Sequence, residues 1–222
     1  MTSPRKSPAR KAAARKASLE TTRKWRRRAQ ARPDELLDAA LDEFIAKGFD
    51  SARVEDIARR ASLSKGAVYL YFKSKEELLR ALIEREVSPV LARVGEMARN
   101  AEDPRATLHL IGRTAGAAIA QPRFMAIPLL VISIANRFPE LVDFYRGEVA
   151  MKAKSGVEAL VKRGIKLGQF HKVDPHAAAR ALIGGILFEA LWAHVLRGPT
   201  KIGAPGWLDS HIDLVLNGLE KR

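Results

Sequence analysis

Gly48-Phe49-Asp50-Ser51-Ala52-Arg53-Val54-Glu55-Asp56-Ile57-Ala58-Arg59-Arg60-Ala61-Ser62-Leu63-Ser64-Lys65-Gly66-Ala67-Val68-Tyr69-Leu70-Tyr71-Phe72 is the stretch on which the fold turns. Val54, Ile57, Ala58 and Ala61 recur at helical spacing, so a short helix is expected there. Ser62-Leu63-Ser64 then reads as a tight turn. Ser64 is placed to cap a further helix, Lys65 to Phe72, whose inward residues Val68 and Phe72 stand at i and i+4. That helix presents Lys65, Gly66, Ala67, Tyr69 and Tyr71 outward.

Helices flank this pair on both sides. Pro33 is a fitting first helical residue, and Leu36, Leu37, Ala40, Leu41, Phe44 and Ile45 keep the period up to Gly48, which is expected to end the helix. Ser74-Lys75-Glu76-Glu77 is a capping box that opens a long helix through Leu78, Leu79, Leu82 and Ile83, bent near Pro89. Beyond residue 104 helix follows helix. One starts at Pro104 and holds Leu108, Ile111, Ala115 and Ile119; an almost wholly apolar one runs Phe124 to Phe138. An amphipathic segment runs from Pro139 to Gly168, then helices are expected at Ala177 to Leu196, opened by Asp174-Pro175, and at Trp207 to Leu219. No stretch alternates with a strand's period of two, so the fold class is all-α.

Three short helices with a tight turn between the second and third make a helix-turn-helix unit, in which the second braces the third and the third enters the major groove. Only there does each base pair show a unique pattern. Lys65 supplies a cation, Gly66 and Ala67 permit close approach, Tyr69 and Tyr71 offer hydroxyl donors, and Lys75 sits at the positive end of the next helix. The stretch resembles the DNA-binding domain of the TetR family of transcriptional regulators. The resemblance is carried by Gly48-Phe49, Val54-x-x-Ile57-Ala58-x-x-Ala61, Ser64-Lys65-Gly66-x-x-Tyr69-x-Tyr71-Phe72 and Lys75-x-x-Leu78, over about residues 33–80. Two positions depart from the family pattern. Ala52-Arg53 stands where a Thr or Ser pair is common, so either Ser51 caps the second helix or Arg53 takes the phosphate contact, and Ser62 replaces a usual Gly in the turn.

The chain has 222 residues with 39 Lys plus Arg against 25 Asp plus Glu, a formal net charge of +14. The excess is local. Residues 1–32 hold 12 basic residues and one acid, whereas 33–80 hold 8 basic and 10 acidic. Arg-Lys pairs at 5–6, 10–11 and 15–16, set among Ser-Pro and Ala, read as a disordered basic arm able to meet phosphates; a solubilising tail is the plainer alternative. No apolar h-region follows the basic start, and the longest uncharged apolar run, 124–136, falls short of the roughly 20 residues a membrane span needs, so a soluble cytoplasmic protein with no membrane partner is expected. The absence of cysteine excludes disulfides, thiol catalysis and Cys-based metal sites. The five histidines lack metal-ligand spacing, and there is neither a phosphate-cradling Gly loop nor a Gly-x-Ser-x-Gly elbow, so no enzyme, metal or cofactor is expected.

The chain is thus expected in three parts: the basic arm over 1–32 and, as the family resemblance implies, a DNA-binding head over 33–80 and a helical-bundle effector-binding and dimerisation domain over 81–222. Arg137-Phe138-Pro139-Glu140-Leu141 with Phe144-Tyr145 also looks like a segment of the AefR-like subgroup. The effector pocket is then expected among helices 104–168 and 177–196, with Phe124, Met125, Ile127, Leu130, Phe144, Phe188 and Trp192 as apolar lining and His109, Arg113, Asn136 and Glu189 as polar anchors. The same mixture is also what an ordinary helical core looks like, and for any one of these residues core is the plainer reading. The last two helices are expected to form the homodimer interface, where Ala178, Ala181, Gly184 and Gly185 permit close approach. The resemblance thus implies a repressor that binds a palindromic operator in double-stranded DNA and is released by a small molecule. An architectural nucleoid protein, with the arm supplying affinity without sequence preference, is the rival reading.

Overall fold

A computed structural model describes residues 32–204 and 206–219; the basic arm, apart from Arg32, lies outside them. The described chain is helical, with no strand beyond one isolated bridge residue, Phe170. The elements are α1 (32–51), α2 (Val54–Arg60), α3 (Lys65–Tyr69), α4 (Lys75–Leu82), a π-helical turn (Ile83–Val87), α5 (Ser88–Arg99), α6 (Pro104–Ile119), α7 (Pro122–Ser133), α8 (Pro139–Tyr145), a second π-helical turn (Arg146–Ala150), α9 (Met151–Lys166), α10 (Pro175–His194) and α11 (Asp209–Leu219).

The apolar periodicity of the head is realised in its packing. Leu36, Ala40, Leu41 and Phe44 of α1, Ile57 and Ala58 of α2, Val68 of α3 and Leu78, Leu79 and Leu82 of α4 are all at most 1% exposed. Ile45 is the exception, at 49% exposed, because it falls at the edge of the α1 stripe. Glu43 is buried on α1 and paired with Lys47 and with Arg60 of α2. Phe49 packs against Phe44 and edge-on against Phe138, ring centroids 5.2 Å apart in each case. Leu36 through Val87 and Ile127 through Val149 form one hydrophobic cluster, so head residues and α7–α8 share a core. A second cluster joins α5, α6 and α9–α11.

Several helix boundaries differ from the periodicity. Gly48 takes the left-handed φ of +77° but does not end the element, since one more turn follows, closed by Ala52 N–H to Gly48 C=O. α3 stops at Tyr69 instead of Phe72: Tyr71 N–H bonds back only three residues, to Val68 C=O, which tightens the last turn. Near Pro89 the helix widens into a π turn. Proline lacks an N–H and its ring would strike the carbonyl four residues back, and the π turn absorbs this, with Ser88 N–H reaching Ile83 C=O. The helix expected over 124–138 runs Pro122 to Ser133, because Pro139 drives Phe138 to φ −131°, ψ 67°, outside the helical region. The Pro139–Gly168 segment is three pieces joined through the second π turn, α10 begins and ends two residues early, and α11 starts at Asp209.

Among the described residues no single helix is long and apolar enough to cross a membrane; α6 and α7 pass by length and composition only as a pair, and they are bent by 84°.

Candidate nucleic-acid interface and apolar cavity

The turn between α2 and α3 is built around Ser62, whose φ of +56° is left-handed although the residue is not glycine. Its neighbours hold it there: Ser62 N–H bonds to Arg59 C=O and Leu63 N–H to Ala58 C=O at 2.8 Å. Ser64 caps α3, its hydroxyl accepting from Ala67 N–H at 3.2 Å. Arg53, not Ser51, is the N-cap of α2; it makes no side-chain cap bond and its guanidinium is exposed. Of the two alternatives left by the sequence, capping by Ser51 is therefore removed, since Ser51 belongs to the extra turn of α1.

Val68 anchors α3 inward, and the opposite face is open. Tyr69 and Tyr71 are 44% and 40% exposed, and Leu70 between them 83%. Gly66 has nothing within 4 Å of where a Cβ would stand, so the protein's own packing does not demand a glycine there. Lys65 is engaged: its ammonium pairs with Glu55 of α2 and lies 5.9 Å from the Tyr69 ring. That hydrogen bond raises the Lys65 pKa and lowers that of Glu55.

Lys75 is more firmly held. Its Nζ donates to the carbonyls of Phe49 (2.7 Å) and Asp50 (3.0 Å) and lies 4.9 Å from the Phe49 ring centroid. The ammonium expected at a phosphate thus ties the start of α4 to the end of α1. Ser74 caps α4 by accepting from Glu77 N–H, while Glu77 reaches back to Lys73 N–H, one residue before the cap. Lys73, absent from the residues expected at DNA, is exposed in an open groove with Arg53, Tyr69 and the α4 N-terminus; its place beside the cap serine was the available signal.

Arginines of the body meet the acids of α1. Arg85 donates to Asp38 at 2.7 Å and to the Asp34 carbonyl at 3.0 Å, Arg123 pairs with Asp42 and Asp38, and Arg137 pairs with Asp50 at 2.6 Å. Arg80 stacks 4.7 Å from the Phe144 ring centroid.

The body holds an apolar cavity of about 170 Å³ that is partly open to solvent, with the exposed Leu187 at its edge. Its walls come from α5 (Val90, Leu91, Val94), α6 (Leu108, Ile111, Gly112, Ala115, Ile119), α7 (Phe124, Met125, Pro128), α8 and α9 (Tyr145, Ala153, Val157), α10 (Leu182, Ile183, Ile186, Leu187) and α11 (Ile212), and from both π turns through Val87 and Val149. It lies where the two hydrophobic clusters meet. Of the eleven residues expected from sequence, only Phe124 and Met125 line it. Ile127, Leu130 and Phe144 pack in or against the first cluster, on the other side of α7 and α8. Arg113 and Asn136 are exposed, and His109 faces α11, its Nε2 3.2 Å from Asp213. Phe188, 57% exposed, stacks on Trp192 outside α10; Trp192 Nε1 donates to the Pro199 carbonyl, and Glu189 does not reach the cavity. Period alone does not say which face of α10 turns inward. Of the four small residues expected to permit close approach between protomers, Ala181 and Gly184 are exposed, but Ala178 is buried in the protomer's own core and Gly185 stands against the His211 ring.

A helix-turn-helix with an exposed third helix, joined to an all-helical body that holds an apolar cavity, defines a class of DNA-binding regulators. The sequence comparisons agree: the model of tetR-family bacterial regulatory proteins matches residues 36–82, and that of the AefR-like transcriptional repressor C-terminal domain matches 106–212. The chain belongs to the TetR family and is a DNA-binding transcriptional regulator. It is similar to the fatty acid metabolism regulator protein of Bacillus subtilis (strain 168), 23% identical over 196 residues, which cover 87% of this chain and 99% of that one. Among solved structures it resembles the SmeT–triclosan complex, SmeT being the repressor of a Stenotrophomonas maltophilia multidrug efflux pump (TM-score 0.73, 25% identity, 86% of this chain and 92% of the other). It also resembles FadR of Bacillus subtilis in complex with stearoyl-CoA (TM-score 0.68, 21% identity, 84% and 98%).

Proposed function

We propose that this chain is a cytoplasmic homodimeric repressor that holds a palindromic operator until a small molecule enters the cavity. In this reading residues 33–80 are the DNA-binding head, 81–222 the effector-binding and dimerisation body, and 1–32 an arm that adds phosphate neutralisation. Helix α3 enters the major groove with Lys65, Gly66, Ala67, Tyr69 and Tyr71; Arg53 and Ser64 border the backbone, and Lys75 positions α4. Repression, in preference to activation, is supported by the match of the body to a repressor domain.

The observation that carries the coupling is the position of Val87. It ends the π turn that continues α4, and it is also cavity wall. The α4 N-terminus is tied through Lys75 to the end of α1, so a ligand pressing on the π turn acts on the element that aims the head. Such a ligand shifts a two-state equilibrium by its differential affinity for the two states. Dimerisation is supported by an apolar face on α10 (Leu187, Phe188 and Leu191), continued by Val195 and Leu196 just beyond its end, that is 39–62% exposed in the protomer.

Footprinting on fragments selected from the source genome tests the reading. One short palindrome protected by two protomers, and released when the cavity is filled, is the expected result; diffuse coverage without a palindrome would favour the architectural alternative.

A further inference from the structure

The cavity has an unusual chemical economy. Every residue of its wall is apolar, aromatic or glycine, and Tyr145 brings the single polar side-chain group among the described residues. No described Lys, Arg, His, Asp, Glu, Asn, Gln, Ser or Thr reaches it. A charged group seated against this wall would lose part of its hydration with no counter-ion to offset the loss. The Tyr145 hydroxyl has no hydrogen-bond partner among the described residues. Burial pushes its pKa up to about 12, so the phenol remains a neutral donor throughout the physiological range. With about 170 Å³ the space is of the order that holds a benzene-sized molecule in other apolar protein cavities, roughly 150 Å³.

We propose that this cavity selects an uncharged, mostly apolar molecule, about one ring with a short chain, whose single oxygen function accepts a hydrogen bond from Tyr145. Carboxylates and phosphorylated compounds of the same shape are excluded by the wall. The inference deepens the effector-site reading above and rests on it only for its link to DNA release.

Three probes of nearly equal shape separate the contributions: 4-phenyl-2-butanone, which is neutral with one acceptor; 3-phenylpropanoate, which is charged; and butylbenzene, which has no acceptor. Calorimetric titration of the full chain at pH 7.5 should show the ketone binding at least about tenfold more tightly than the carboxylate. Tyr145→Phe should weaken the ketone by about threefold to tenfold, the worth of one neutral hydrogen bond, and leave butylbenzene within about twofold. The proposal is overturned if the carboxylate binds as well as the ketone, if Tyr145→Phe leaves the ketone unchanged or weakens butylbenzene equally, or if none of the three binds. Operator release is scored separately. A ketone that binds through Tyr145 without loosening operator DNA overturns the effector reading and leaves the ligand class standing. A carboxylate that binds and releases DNA does the reverse.

Discussion

At the scale of single residues, Gly66 and Glu55 separate stability from DNA binding. Gly66 sits in the first turn of α3 with open space around its missing Cβ and no positive φ. Gly66→Ala should therefore raise stability by about 0.5–1 kcal/mol through helix propensity. The same methyl occupies the surface that is to meet the duplex, so operator affinity should fall. Thermal melts and binding titrations on one variant would show the two effects moving in opposite directions; unchanged affinity would take Gly66 out of the interface. Glu55 holds Lys65 in the free protein. Glu55→Gln removes a carboxylate that would face phosphates and frees the ammonium, so DNA should bind a few-fold more tightly at low salt, with the gain fading as salt screens it. Ser62 was recognisable from sequence as a substitute for glycine. Its φ of +56° shows that the position does need a left-handed residue, and serine is accommodated there at a cost of about 1–2 kcal/mol.

At the scale of elements, α4 links the surface proposed to contact DNA with the cavity. Its N-terminus is fastened by the Ser74 cap, the Glu77 return bond and the Lys75 clamp, and its C-terminus runs into a π turn lined against the cavity by Val87. Ser74→Ala removes the cap acceptor for Glu77 N–H and should cost about 1 kcal/mol of stability. Chemical denaturation would read this as a lower midpoint at unchanged slope. The capping box was legible because its residue types and spacing are local. The π turn was not: Pro89 announced a disturbance, but whether the chain kinks, breaks or widens depends on what packs around it.

At the scale of the whole molecule, the exposed face of α10 and the basic arm each make a prediction. Phe188 is 57% exposed and stacked on Trp192 outside the protomer core, so Phe188→Asp should leave the fold intact and split the proposed dimer, as sedimentation velocity would show. A dimer that persists unchanged would move the interface elsewhere. Residues 1–32 carry 12 of the basic residues of the chain and one acid. Deleting 1–30 should lower affinity for operator and scrambled DNA together. The salt dependence should become shallower by about 0.9 log units per log unit of salt for each phosphate the arm no longer neutralises. Identical slopes for the two chains would reduce the arm to a solubilising tail.

Helical period, capping serines, the turn between α2 and α3 and the outward Tyr69 and Tyr71 were all readable without coordinates, because each depends on residues within a few positions of one another. The acid excess of 33–80 was countable but not interpretable. Only the packed chain reveals that Asp34, Asp38, Asp42 and Asp50 meet Arg85, Arg123 and Arg137 of the body, so these acids face the seam between head and body. The same holds for the cavity. Phe188 and Trp192 had the right chemistry to line it, yet they face out, while Tyr145 and Val87 face in. A helix buried on several sides gives no periodic signal for which apolar face meets which neighbour, so that choice belongs to tertiary packing alone.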